Sequence, residues 1–198
     1  MNPNIPSIDP TDHGHLAGLL KAYLKKSLQS TDCQLPCEIV SYNRITNRAM
    51  VRPTIDMLST GGQQVQRAPI ASIPVLALGG GGFCITFPLQ AGDKGWIEAS
   101  DRDISLYLQS MQHTRPNTFR MHSFEDGRFI PDIFGAYTHD SADDSKMVIQ
   151  SVDGSVKITL GSGEIDIVAA SVKINGIDFN SHYHGNVQNG LGVTGGAL

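Results

Sequence analysis

The sequence predicts an all-β protein: a small closed barrel, followed by a narrow strand repeat that needs several copies around one axis. Three observations carry this. From Leu35 onward apolar residues recur with a period of 2, where the preceding segment has a period of 3.6. Glycine is abundant at 21 residues, while aromatics make up 7% with a single Trp, a composition of turn-rich β structure. Residues 146–179 then repeat short β-branched units closed by Gly, Ser or Asp.

Taken in order, residues 1–34 form a polar arm and an amphipathic helix. Residues 15–30 place Leu16, Leu19, Leu20, Tyr23 and Leu24 on one stripe, with Lys21, Lys25 and Lys26 mostly off it. Such a helix suits packing on its own domain or on a sister chain, or a membrane surface. Residues 35–110 form the barrel. Cys37–Tyr42 and Arg48–Ile55 read as strands joined by the turn Asn43–Asn47. Pro69–Leu78 is interrupted by Pro74, so it reads as an edge strand or buried loop. Gly79–Gly82 precede the strand Phe83–Phe87, and the turn Gly92–Gly95 precedes the strand Trp96–Ala99. Asp101 is placed to cap a short helix from Arg102 to Gln109. About five short strands with one late helix fit a barrel of the OB type.

Residues 111–145, rich in Asp, Ser, His and Pro, read as a connector. In 146–179 the alternation points Val148, Val156, Ile158, Ile165, Ile167, Val172 and Ile174 inward. So thin a strand set cannot bury its own apolar face. Winding three copies into an intertwined triple-stranded β-helix buries it and removes the sheet edges, which makes the protein a homotrimer.

Residues 180–198 are the tip. In an extended strand i and i+2 share a face, so His182 and His184 offer two imidazoles to one metal. Three chains on an axis gather six. Imidazole suits Fe, Ni, Cu and Zn; six-fold coordination disfavours tetrahedral zinc and leaves iron(II), one per trimer. A saturated site has no place for substrate, so its role is mechanical.

Other chemistry is thin. A net charge of −4 and a pI near 5.9 argue against a nucleic-acid partner. Cys33, Cys37 and Cys84 form no disulfide framework or zinc quartet, and read as small buried hydrophobes. The glycine run lacks a following Lys-Ser/Thr and a helix, so it is no phosphate cradle. His13, His15, His113, His122 and His139 have no ligand spacing, and the pairs Asp101/Asp103, Glu125/Asp126 and Asp143/Asp144 read as caps or solvated loops. No nucleophile elbow and no Cys beside a His is present, so no catalytic residue is expected. Residues 1–11 carry no basic-then-apolar signal, and no apolar run reaches the roughly 18 residues of a membrane span. Synthesis in a cytoplasm without insertion in a membrane is the expectation.

Three segments carry a resemblance. PVLALGGGGFCITFPLQAGDKGWIEASDRDISLYL resembles the OB-domain signature of phage membrane-puncturing spike proteins, the baseplate central-spike family of contractile tails. RMHSFEDGRFIPDIF resembles that family's linker, and GIDFNSHYHGNVQNGLGVTGG is similar to its apex, where H-x-H from three chains holds iron. The resemblance covers about residues 35–198. It implies a structural spike in the virion tail baseplate, bound at its barrel end to the tail hub protein and piercing the host outer membrane on sheath contraction. It gives metal ligation to His182 and His184 and nothing catalytic. No lysozyme-like insertion lies between barrel and helix, and residues 15–30 are outside the resemblance. A trimeric carbohydrate-binding tail protein is the alternative; it calls for exposed aromatics along 146–178, which contain none.

Overall fold

The computed structural model describes residues 14–59, 62–179 and 181, and divides into two units, 1–134 and 135–198. The first unit opens with α1 (Leu16–Gln29), followed by β1 (Gln34–Asn43), β2 (Arg48–Pro53), the small hairpin β3 (Met57–Leu58) and β4 (Gln64–Val65), and β5 (Ile70–Pro74). A second hairpin, β6 (Leu78–Gly80) and β7 (Phe83–Ile85), turns through Gly81 and Gly82, both at positive φ. β8 (Lys94–Ser100), α2 (Ser105–Ser110) and β9 (Ser123–Pro131) complete it.

Five strands make one antiparallel sheet in the order β5-β2-β1-β8-β9. Its two ends meet. Val75, just past β5, bridges Phe129 of β9 in parallel, and the Leu76 amide donates to the Phe129 carbonyl at 2.8 Å. Four antiparallel neighbours closed by one parallel contact give an OB-like barrel. Pro74 is accommodated because it ends β5, where the chain leaves β2 and crosses to β9.

The interior is filled by Cys37, Ile39, Val51, Ile73, Ile97 and Phe129, with Ala49, Val75 and Phe124 beside them. Alternation along β1, β2 and β8 puts Cys37, Ile39, Ala49, Val51 and Ile97 inward, and β5 and β9 supply Ile73, Phe124 and Phe129. Gly95 is required where β8 crosses β9: a Cβ there would strike the Ile130 carbonyl and the Phe129 ring. Trp96, on the opposite side of β8, donates from Nε1 to Asp132 at 2.7 Å and packs against Phe134 with ring centroids 5.2 Å apart.

The expectation of a connector over 111–145 is corrected at Ser123–Pro131, which is the fifth barrel strand. Its inward set, Phe124, Asp126, Gly127 and Phe129, includes a charge and a glycine, so apolar alternation is weak there. The cysteine reading holds for Cys37 alone; Cys33 and Cys84 are exposed. Asp103, not Asp101, serves the start of α2, accepting from the Ser105 amide at 2.9 Å.

The second unit contains a 3-10 turn (Ser141–Asp143), then β10 (Met147–Gln150), β11 (Lys157–Gly161) and β12 (Glu164–Val168) as an antiparallel three-strand sheet. A last hairpin pairs β13 (Lys173–Ile174) with β14 (Ile177–Asp178). Gly154, Gly163 and Gly176 occupy the turns at positive φ.

Candidate functional site

The three-strand sheet of the second unit is unequal on its two faces. Directly paired residues in an antiparallel sheet share a face. Ile149 pairs with Ile158 and Ile158 with Ile167; Met147 pairs with Leu160 and Leu160 with Ile165. These six side chains line one face, and every one is exposed within the single chain. Val148 pairs with Thr159, on the other face. The inward set is therefore corrected in β10: Met147 and Ile149 stand with Ile158, and Val148 does not.

The opposite face is covered within the chain by charge pairing. Asp140 caps the 3-10 turn, accepting from the Ala142 amide at 3.0 Å, and the turn holds Asp143 buried. Lys157 of β11 donates to Asp143 at 2.6 Å and lies 3.6 Å from Asp140. Lys146 reaches Glu164 at 3.1 Å and Asp143 at 3.6 Å. The Lys157 hydrogen bond holds the Asp143 carboxyl below the usual carboxylate range, and Asp143 in turn raises the Lys157 ammonium. Thr159 is buried beneath these groups on β11.

A second ionic cluster closes the barrel unit. Arg120 grips Asp126 with two hydrogen bonds, Nε to Oδ2 at 2.6 Å and Nη2 to Oδ1 at 2.9 Å. Its Nη1 donates to Glu125 at 2.9 Å, and Nη2 lies 3.7 Å from Asp103. Asp103 and Asp126 are both buried. Hydrogen bonds from Ser105 and Thr118, with the Arg120 charge, hold Asp103 far below the usual carboxylate range. A carboxyl kept this firmly ionised is no general acid. The cluster ties the 101–122 loop to β9.

By sequence alone these carboxylates suggest caps or solvated loops. Asp103 does serve the start of α2, but Asp103, Asp126 and Asp143 are all buried and ion-paired, not solvated. The signal available was a cation for each of them: Arg120 six residues before Asp126, and Lys157 on the strand beside the Asp143 turn. Among the other expected features, His139 meets Asp144 at 2.6 Å and His122 lies 3.9 Å from Asp101. His182 and His184 lie outside the described residues, as does all but Ser181 of the 180–198 tip.

Residues 35–132 match the family model described as the phage protein Gp138 N-terminal domain. The barrel is similar to a phage domain. The match begins on β1 and ends just after β9, so it takes in the five barrel strands and leaves out α1 and the whole second unit. It supports a phage protein of tail or baseplate type, a virion component with a structural role. No curated protein matches the chain.

Proposed function

We propose that the chain is the central spike of a phage contractile tail: a homotrimer docked to the tail hub protein through its barrels, piercing the host outer envelope when the sheath contracts. The observation that carries the reading is the uncovered apolar face of β10–β12. Six aligned aliphatic side chains on so small a sheet are costly in water. Three copies wound about one axis into an intertwined β-helix bury them and pair the outer strands β10 and β12. The likeness of residues 35–132 to a phage domain supports placing that trimer in a virion tail.

The action is mechanical and the chain is no enzyme. A rigid rod concentrates force on a small area, and its end must resist fraying. His182 and His184 supply two imidazoles per chain, a donor set that fits one iron(II) shared by three chains. Bound there, the metal supplies a crosslink between chain ends. The native mass of the purified protein together with its metal content tests the reading. A trimer with one iron is expected; a stable monomer at micromolar concentration would overturn it.

A further inference from the structure

Three places among the described residues set an Asp or Asn before a glycine: Asp126-Gly127, Asp153-Gly154 and Asn175-Gly176. Such pairs share one reaction. The glycine nitrogen, unshielded by a side chain, attacks the carbonyl carbon of the preceding side chain and closes a succinimide ring. Two of the three pairs are fastened against it. Asp126 is buried in the double grip of Arg120. Asp153 accepts from Ser151 Oγ at 2.6 Å, and from the Ser155 amide and Oγ at 3.1 and 2.9 Å, which lowers its carboxyl to about 2. An ionised carboxylate resists nucleophiles. The Gly154 amide is occupied too, donating to the Ser151 carbonyl at 2.9 Å.

Asn175 has neither restraint. It and Gly176 are the two turn residues between β13 and β14, at φ 52° and 83°, as a type I′ hairpin requires. Both are exposed, and a Cβ on Gly176 would meet nothing within 4 Å, so water and base reach the amide freely. Among the described residues, neither the Asn175 side chain nor the Gly176 amide takes part in a hydrogen bond. The hairpin itself is slight. It pairs only Lys173 with Asp178 and Ile174 with Ile177, and it joins no larger sheet. A two-stranded ribbon of this size opens readily, which lets the chain rotate so that the Gly176 nitrogen meets Asn175 Cγ.

We infer that Asn175 is a site of covalent self-modification, converting to aspartate or isoaspartate through a succinimide closed by Gly176. The Gly176 nitrogen gives its proton to hydroxide and bonds to Asn175 Cγ. The Cγ–Nδ2 bond breaks, and the side-chain nitrogen leaves with a proton as ammonia. Water then opens the ring at one of its two carbonyls: cleavage at Cγ leaves aspartate, and cleavage at the main-chain carbon leaves isoaspartate. No oxidant or cofactor is consumed. The isoaspartyl product routes the backbone through the side chain and adds one methylene to a turn whose register depends on its length. Ile174 then loses its place opposite Ile177, and the hairpin gains a negative charge.

The test is to age the folded full chain at mildly alkaline pH and map it by mass spectrometry. A protease that cuts before Asp releases residues 166–177, in which Asn175 is the only side-chain amide, apart from the second Asn-Gly pair at 189–190, which lies outside the described residues. That peptide should gain the one mass unit that separates an amide from an acid, with isoaspartate identified by fragmentation. Conversion in the folded chain should come within about tenfold of that in the denatured chain, as a marginal hairpin implies. Asp153 and Asp126 should gain no isoaspartate while folded. Asn175→Gly keeps a residue at ease in the turn and should abolish the mass gain with circular dichroism unchanged. Ser151→Ala with Ser155→Ala should expose Asp153 to the same reaction. An unconverted Asn175 in folded protein, when the denatured chain converts, overturns the proposal. Isoaspartate at Asp153 as fast as at Asn175 overturns it too, because hydrogen bonding would then not select the site.

Discussion

Ile158 on β11 stands directly across from Ile167 on β12, and both side chains are exposed in the single chain. With Ile149 on the far side of β11 they form an aliphatic rung across the sheet. The rung sits back to back with the ion pairs of Lys157, which cover the other face.

That asymmetry predicts the effect of a charge. Ile158→Asp places a carboxylate in the face that the proposed trimer would bury, at a cost of several kcal/mol for each chain. Native mass spectrometry should show loss of the trimer. Asp166→Asn, on the opposite face, should leave it intact. Soluble, fully assembled Ile158→Asp trimers would show that this face is not the packed one.

Arg120 should matter to the barrel far more than an ordinary surface arginine. Removing it leaves Asp126 and Asp103 buried without their cation. Arg120→Met should lower the denaturation midpoint clearly. Arg128→Ala breaks only the half-exposed pair with Glu98 and should cost about 0.2–1 kcal/mol. The depressed carboxyl of Asp103 also sets a direction with pH. A folded-state value below the unfolded one contributes stability that is full above the unfolded range near 4 and lost as pH falls through the folded value. Acid unfolding of wild type should thus lose stability below about pH 4. A flat profile from pH 5 to pH 2 would count against the cluster.

Cysteine chemistry separates inside from outside. Burial pushes the Cys37 thiol up to about 12, so it stays protonated at pH 8. Iodoacetamide should modify exposed Cys33 in the native protein and reach Cys37 only after denaturation. Rapid alkylation of Cys37 in folded protein would contradict the packing of β1.

The legible parts of the fold are those where apolar alternation is unbroken. β1, β2 and β8 alternate between buried and less buried positions over Cys37–Ile39, Ala49–Pro53 and Gly95–Ile97, and fall where the period of 2 puts them, with register shifts at Ile39/Ser41 and Glu98/Ser100. β9 is hidden because Asp126 and Gly127 take inward positions, the one satisfied by Arg120, the other a glycine because a Cβ there would come within 2.7 Å of the Glu98 carbonyl oxygen. In Met147-Val148-Ile149 every residue is apolar, so alternation cannot choose a face, and pairing with Thr159 and Ile158 decides it. The buried carboxylates are illegible for a related reason: sequence spacing shows charges, while which cation meets which carboxylate, Arg120 with Asp126 or Lys157 with Asp143, is set by the fold.

Replacing Gly95 with Ala tests the barrel closure. The added methyl meets the Ile130 carbonyl and the Phe129 ring, and backbone cannot yield as a flexible side chain can. Overpacking of this kind costs about 1–3 kcal/mol. Thermal unfolding of the barrel should move down by several degrees; an unchanged midpoint would mean that β8 and β9 do not approach as closely as described.

The metal prediction follows from counting donors. Each chain brings His182 and His184, and the proposed six-fold site would consume three pairs, so elemental analysis should find one iron per three chains. Ligation needs neutral imidazoles, and protons compete for them below a reference value of about 6.5, so acidification should release the metal. His182→Ala with His184→Ala should abolish binding while the trimer persists, because burial of the Ile149, Ile158 and Ile167 rung needs no metal. One metal per chain, or iron retained after both replacements, would mean that these histidines do not form a shared three-fold site.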